Sequence, residues 1–550
     1  MKRDYAVNLC LALTLSSVAL CSSAETWKPP RLGLHVLMTT RDKTEQLTAA
    51  VRNIAEMGVN SIVAEINYGY EYQSHPELRS GNPSSTQSIK SLVHECRKNN
   101  IRLIPQFQCL GHQSWKASTF RLLTKYPQFD ETPGQYPDNE GIYCRSWCPL
   151  HPDVNPIIFE LMDELIEAFE ADALHVGMDE VFLIGEDACS RCKGKSKAEL
   201  FAKAVNDYHR HIVGTRKIEM LMWADRLIDA NSIGYSKWEA SANGTAGAID
   251  LIARDIILCD WHYGRREAYE SAPMFLEKGF RVWPASWRQP EAAKALIDYS
   301  RTFADPRMVG HLNTTWGAVP LPELTAFKPL MYSTSVFAAR PATYLFHIKE
   351  LLQQKWPKNR TVNIVCHGHS VPAGYFKTPA VQTFDAYPHL LHRALNAEYP
   401  HAVINVIVTA IGGENSDRGR KRFERDVLSH RPDVITIDYG LNDRGITLDE
   451  SRESLTSMIE QANSRGIKII LLTPTPDLNA DLSNPEDPLN RRAELIRNLA
   501  RSQSVGLADS LAEFRARIAD GDPLEDFMSQ RNHPNRKGHE LVAKVLMRWF

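Results

Sequence analysis

Residues 172–182 read DALHVGMDEVF. From Ala173 to Met178 the run is apolar and about as long as a strand buried on both faces. It stops at two adjacent carboxylates, Asp179 and Glu180. Working outward, runs of the same kind recur at 32–38, 61–67, 101–107, 218–224, 255–261, 281–287 and 308–314. Amphipathic stretches such as TEQLTAAVRNIAEMG and NPIIFELMDELIEAFEA separate them. Eight short strands alternating with helices over roughly 300 residues predict a (β/α)8 TIM barrel.

A second unit follows AARPATYLFHIKELLQQKWPKNR. Its apolar runs lie at 362–368, 402–408, 433–440 and 467–474, with a shorter one at 505–510. Helical stretches between them predict an open parallel sheet with helices on both faces, a three-layer α/β/α arrangement. The expected division is a leader over 1–24, the barrel over 25–342 and the second domain over 343–550. In the leader, Lys2 and Arg3 precede the apolar LCLALTLSSVALC, and SSA before Glu25 suits cleavage. A secreted or periplasmic location follows as an expectation.

The chain has 550 residues, 43% of them hydrophobic and 24% charged, the balance of a soluble globular protein. Lys and Arg total 64 against 66 Asp and Glu, a net charge of -2. No global field therefore favours nucleic acid or an anionic membrane. The basic run RGRKRFER (418–425) has helical spacing and is read as a solvated helix face. The leader's apolar run is too short to span a bilayer comfortably, no later run is long enough for stable membrane insertion, and composition leaves the oligomeric state open. Of ten cysteines, four form close pairs, Cys144/Cys148 and Cys189/Cys192. With export expected, disulfides or free thiols are favoured over a four-thiolate zinc site. Neither metal nor cofactor is expected.

In both architectures ligands meet the protein at the carboxyl ends of the strands. Polar and aromatic residues gather there: Glu65, Asn67, Gln106, Gln108, His112, Asp179, Glu180, Trp223, Asp225, Trp261, Tyr263 and Trp316. Aromatic faces interleaved with carboxylates and amides suit a sugar. Neighbouring carboxylates cannot flank a sugar ring from both sides. They can divide the work where a 2-acetamido sugar supplies the nucleophile itself. HVGMDE (175–180) resembles the His-x-Gly-x-Asp-Glu signature of family 20 glycoside hydrolases, the β-N-acetylhexosaminidases, and LGHQSW resembles that family's Gly-His after the third strand. The resemblance implies that Asp179 polarises the acetamide and Glu180 is the acid/base. It also implies that His112, Trp223, Trp261, Tyr263 and Trp316 line the sugar pocket, with Arg31 as candidate for the sugar-binding arginine. TTWGAVP (314–320) departs from the family's aromatic–acidic pair, having no adjacent acid.

In VNIVCHGHSVPAG (362–374), Ser370 stands in a glycine-bounded turn after a strand, where a hydroxyl and backbone N–H groups are free. A serine nucleophile needs a base and an anion-stabilising pocket. IGGENS with Gly413, YGLNDRG with Asn442 and RNHPNRKGH with His533 complete four blocks that resemble the SGNH (GDSL-type) hydrolases, esterases on a flavodoxin-like sheet. The resemblance implies Ser370 as nucleophile and His533 as base. The oxyanion donors would be the Ser370 and Gly413 N–H groups and the Asn442 side chain. Two departures stand out: His369 replaces the aspartate of GDS, and Gln530 occupies the place of the aspartate that orients the histidine. A backbone carbonyl, or a relay through Asp526, is left to do that work. The combined expectation is a carbohydrate-active hydrolase pairing a sugar-deacylating esterase with a hexosaminidase-like barrel, acting on a glycan or acylated sugar. The alternatives are a catalytically silent, glycan-binding barrel, or a lipid or aryl esterase with the barrel as scaffold.

Overall fold

A computed structural model describes residues 31–550, and the leader read at 1–24 lies outside them. Eight parallel strands close into a barrel. They are β1 (Arg31–Leu37), β2 (Ser61–Glu65), β3 (Arg102–Cys109), β4 (Ala173–Gly177), β5 (Glu219–Trp223), β6 (Ile257–Trp261), β7 (Arg281–Ser286) and β8 (Gly310–Thr314). Each pairs with its neighbours in this sequence, and β1 closes on β8. Side chains alternate along each strand. Ile62, Ala64, Leu174, Val176, Met220 and Met222 face outward, into the core shared with the helices. Val63, Ile104, Leu221, Ile257, Trp283 and Leu312 fill the interior. Burying each such side chain contributes roughly 1.5–3 kcal/mol. Toward the carboxyl ends the interior turns polar: Glu65 pairs with Gln106 and Gln106 with His175 across the ladder, all of them buried.

The second sheet contains β9 (Thr361–Gly368), β10 (Val403–Val408), β11 (Val434–Asp438), β12 (Lys468–Leu472) and β13 (Gly506–Ala508). The strands are parallel, in the order β10-β9-β11-β12-β13. Its two faces have separate cores. Ile364, Cys366, Val434, Ile470 and Leu472 pack with helices 387–398, 510–519 and 536–547. Val365, Ile435, Ile437, Ile469 and Leu471 pack with helices 416–426 and 448–463. Because β9 lies between β10 and β11, the chain reverses its direction of winding there, and a crevice opens beyond the strand ends. Among the described residues no helix is long and apolar enough to cross a membrane.

The strand limits read from sequence agree with these bounds to within two residues. The basic run 418–425 does form a helix, but it is not wholly a solvated face. Arg422 turns inward, buried, and pairs with the buried Glu414.

Candidate active sites

At the end of β4 the backbone leaves extended geometry. Gly177, Met178 and Glu180 all have positive φ, at 67°, 77° and 50°. A β-carbon at Gly177 would lie 2.0 Å from Gln108 Oε1, so only glycine fits. The left-handed conformation costs a non-glycine residue roughly 1–2 kcal/mol, and here it undoes the alternation that would send neighbouring side chains to opposite faces. Both acids consequently reach one imidazole. His112 Nε2 lies 3.3 Å from Asp179 Oδ2 and 3.0 Å from Glu180 Oε2. A bulge in β3 near Gln106 and Cys109 aims Gln108 at the same point, where its Nε2 donates to Asp179 Oδ1 at 2.8 Å.

Burial disfavours a charged His112, but the two carboxylates outweigh it and hold the imidazole pKa well above its ordinary value. Burial likewise opposes ionisation of Asp179, but His112 and the Gln108 amide hold its pKa below the ordinary carboxylate value. Asp225, just after β5, accepts from Glu180 N–H at 2.9 Å, Arg226 Nε at 2.6 Å and Trp261 Nε1 at 3.3 Å. It ties the acid-bearing turn to β5 and β6. Burial pushes the Asp225 pKa up and Arg226 pulls it back.

Aromatic residues wall the mouth. Trp261 and Tyr263 stack at 4.8 Å, and the Trp316 indole N–H donates to the Tyr263 hydroxyl at 2.6 Å. Trp223, implied as a lining residue, is instead fully buried and packs on Trp316 at 5.4 Å. Tyr143, on the β3–β4 connection, was not singled out from sequence. It stands edge-on to His112 at 5.7 Å and to Trp238 at 4.9 Å. Burial and the nearby Glu180 carboxylate push its phenol pKa up. Arg31 is not at this mouth. It opens β1, at the opposite end of the barrel, where its Nη2 donates to Glu219 Oε2 at 3.0 Å. Arg102 and Arg281 bind the same carboxylate.

In the second domain Ser370 follows β9, Gly413 follows β10 and Asn442 follows β11, so the crevice collects all three. Gly368 lets β9 pass close to β11, since a β-carbon there would meet Asp438 O at 2.5 Å. Ser370 opens a short helix, Ser370–Ala373, capped by His369, whose Nδ1 accepts from Val371 N–H at 3.2 Å. His369 Nε2 lies 3.4 Å from Asp438 Oδ1. Gly413 is left-handed at φ 78° and exposes the backbone beside Glu414. Asn442 Nδ2 donates to Glu414 O at 2.9 Å and Asp443 Oδ1 accepts from Ser416 N–H at 2.8 Å, joining the two loops. An amide nitrogen has two hydrogens, so Asn442 keeps one for a ligand. Glu414 is held below by Arg422 and by the Tyr439 hydroxyl at 2.9 Å.

His533 comes from a hairpin of β14 (Met528–Gln530) and β15 (His533–Pro534). Its Nε2 lies 2.9 Å from Ser370 Oγ. Nδ1 lies 2.6 Å from Gln530 Nε2 and 3.2 Å from Phe376 O. No carboxylate of a described residue reaches either ring nitrogen. The relay through Asp526 is therefore not built: its backbone carbonyl accepts from Asn535 Nδ2, and its carboxylate reaches neither nitrogen of His533. For Nε2 to accept the serine proton, Nδ1 must carry hydrogen and needs an acceptor. Phe376 O is that acceptor. Gln530 could serve only with its amide turned over, at the expense of the 3.0 Å bond its Oε1 accepts from Thr378 N–H. Burial lowers the His533 pKa, the Phe376 carbonyl raises it and His369 lowers it again, with a net shift downward. His539 is fully buried and accepts from Tyr387 N–H, a structural place.

The eight described cysteines are buried and none is in a disulfide. The two sequence pairs do not form one group of four. Cys144 turns away, its Sγ 3.5 Å from Glu180 O, while Glu131 joins Cys148, Cys189 and Cys192.

Residues 46–283 match the family described as Glycosyl hydrolase family 20, catalytic domain, and residues 366–541 match the GDSL-like Lipase/Acylhydrolase family. Among curated proteins, the chain is 26% identical over 170 residues to an acetylxylan esterase of Geobacillus stearothermophilus, covering 28% of this chain and 75% of that one. It is 26% identical over 182 residues to hexosaminidase D of Bos taurus, covering 32% of this chain and 49% of that one. A crystal structure of an acetylxylan esterase from Geobacillus stearothermophilus aligns at 23% identity with a TM-score of 0.30, over 34% of this chain and 93% of that one. The chain thus joins a barrel that matches the glycosyl hydrolase family 20 catalytic domain to a second domain that matches the GDSL-like lipases and acylhydrolases, and both matches indicate hydrolase activity.

Proposed function

We propose that the chain is an exported hydrolase of acylated, N-acetylated glycans. Its second domain removes acyl groups, acetyl among them, from sugar hydroxyls, and its barrel cleaves β-N-acetylhexosaminides. The observation that carries the esterase reading is the 2.9 Å approach of His533 Nε2 to Ser370 Oγ at the sheet's crevice. As Ser370 Oγ attacks the acyl carbonyl, Nε2 takes its proton. The tetrahedral oxyanion is received by the Ser370 and Gly413 N–H groups and the free hydrogen of Asn442 Nδ2. His533 then returns the proton to the departing sugar oxygen. Water, deprotonated by the same nitrogen, releases the acid and restores the serine. The names of the similar proteins, an acetylxylan esterase and a hexosaminidase, support a carbohydrate substrate at both sites.

For the barrel, the reading rests on Asp179 and Glu180 converging on His112. Asp179, low in pKa and held by Gln108, accepts the acetamide N–H. The acetamide oxygen then attacks the anomeric carbon while Glu180 protonates the leaving oxygen; Glu180 afterwards takes a proton from the water that opens the cyclic intermediate. Tyr263, Trp261 and Trp316 give the ring its apolar wall. One pair of assays tests both halves: a chromogenic acetate ester and a chromogenic N-acetylhexosaminide, each with wild type, Ser370→Ala and Glu180→Gln. Each variant should lose one activity and keep the other. Wild type that splits the ester but not the hexosaminide would reduce the barrel to a binding module. Export is tested by locating the protein and sequencing its mature N-terminus, expected at Glu25.

A further inference from the structure

Below the barrel mouth, three thiols and a carboxylate converge from two connections. Glu131 and Cys148 belong to the segment between β3 and β4, and Cys189 and Cys192 to the segment after β4. One potential ligand atom from each of the four buried residues lies within 4.8 Å of all the others. Cys148 Sγ is 3.4 Å from both Cys189 Sγ and Cys192 Sγ. Glu131 is fully buried; one of its oxygens accepts from Glu186 N–H at 3.1 Å, while Oε2 is buried without a hydrogen-bond partner. A carboxylate left in that state is costly, and thiols are weak donors. A disulfide would consume two of the three sulfurs and leave the carboxylate as it was. A cation bound by all four would satisfy every one of them.

We propose that Glu131, Cys148, Cys189 and Cys192 bind one zinc ion. Three soft thiolates and one carboxylate in a compact cluster suit tetrahedral zinc, whose thiolate ligands at about 2.3 Å stand roughly 3.8 Å apart. Cys189 and Cys192 have the short spacing of zinc ligands, and Lys193 N–H donates to Cys189 O at 2.9 Å in the turn that brings their sulfurs together. Exposed Arg191, Lys193 and Lys195 interleave with these ligands and offset the net negative charge of the loaded site. With all four positions filled by protein, the ion is structural. It clamps the connection that carries His112 and Tyr143 to the one that carries Glu180.

The test uses the purified full-length protein, prepared without chelator. Elemental analysis should find one zinc per chain. Titration with an organomercurial, with a colorimetric chelator present, should release that zinc as three thiols react. Glu131→Gln should weaken zinc retention against a competing chelator at least tenfold. Hexosaminidase activity should fall with the metal while ester cleavage persists. Less than a tenth of a zinc per chain after zinc supplementation, with mass spectrometry showing Cys148 disulfide-linked to Cys189 or Cys192, would overturn the proposal. The wild-type measurements decide the matter even where a variant fails to fold. They are also independent of whether the barrel is an active hexosaminidase.

Discussion

Gln530→Glu is the sharpest perturbation of the esterase site. The side chains have the same shape, so Oε1 can keep the Thr378 N–H bond while a carboxylate oxygen replaces the nitrogen now 2.6 Å from His533 Nδ1. The variant would thus have the charged partner that the wild type lacks. A carboxylate and an imidazolium with charge centres about 4 Å apart interact by ~1 kcal/mol in water and ~4 kcal/mol at an effective dielectric of 20. Gln530 is half-buried, which places the gain at about 1–2 kcal/mol. That is roughly one unit in the His533 pKa and about a 5- to 30-fold rise in kcat, because the imidazolium forms in the transition state. The base works neutral. Since burial depresses its pKa, wild-type activity should persist below the ordinary histidine value of about 6.5 and fall only as pH drops through the lowered pKa. In the variant the acid limb should move up by about one unit. The assay is kcat and kcat/KM for a chromogenic acetate ester over a pH series. An unmoved acid limb, or a kcat tenfold lower, would refute the reasoning, since the added carboxylate would then not act as a partner of Nδ1.

Ser370→Ala and His533→Ala should each lower ester hydrolysis by ~10⁴-fold or more. Gln530→Ala should cost only a few-fold, because Phe376 O remains, and Asp526→Asn should change nothing; all four are read by the same ester assay. Glu180→Gln should remove at least ~10³ of hexosaminide turnover, with ester cleavage as the control for folding. Asp225→Ala should destabilise the barrel by ~3–5 kcal/mol, because it strands the fully buried Arg226 without its charge partner. Chemical denaturation followed by tryptophan fluorescence checks this.

Much of the fold was legible because both architectures bury their strands on two faces. SIVAE and KIILL are buried, mostly apolar runs, too short for helices and set between amphipathic segments. The reading failed where a residue's partners lie outside its own run. Nothing in RGRKRFER marks Arg422 as the arginine that turns inward; Glu414, eight residues earlier, decides that. Glu131 likewise carries no sign of membership in a thiol cluster, because its partners are 17 to 61 residues away and meet it only in the folded structure.

At the sites, strand-end placement was the readable part. A barrel strand of seven residues is ~23 Å long, so its first and last residues belong to different ends of the protein. Arg31 precedes its apolar run and is thereby assigned to the opposite end from Asp179 and Glu180; proximity in sequence to the first strand was the wrong criterion. The turn that turns two neighbouring acids toward one histidine was not readable, because Met178 and Glu180 are not residue types that announce a left-handed backbone. Gly413 is a residue type that does announce it. The orienting partner of His533 lay beyond composition altogether. Gln530 showed that the usual carboxylate was missing, but every residue has a carbonyl, and only the fold of the segment after Ser370 selects that of Phe376. A backbone acceptor fixes the tautomer without adding charge. Under the proposed mechanism this half of the orienting role suffices for an ester, whose leaving group is better than a peptide's amine, and the other half is what Gln530→Glu would supply.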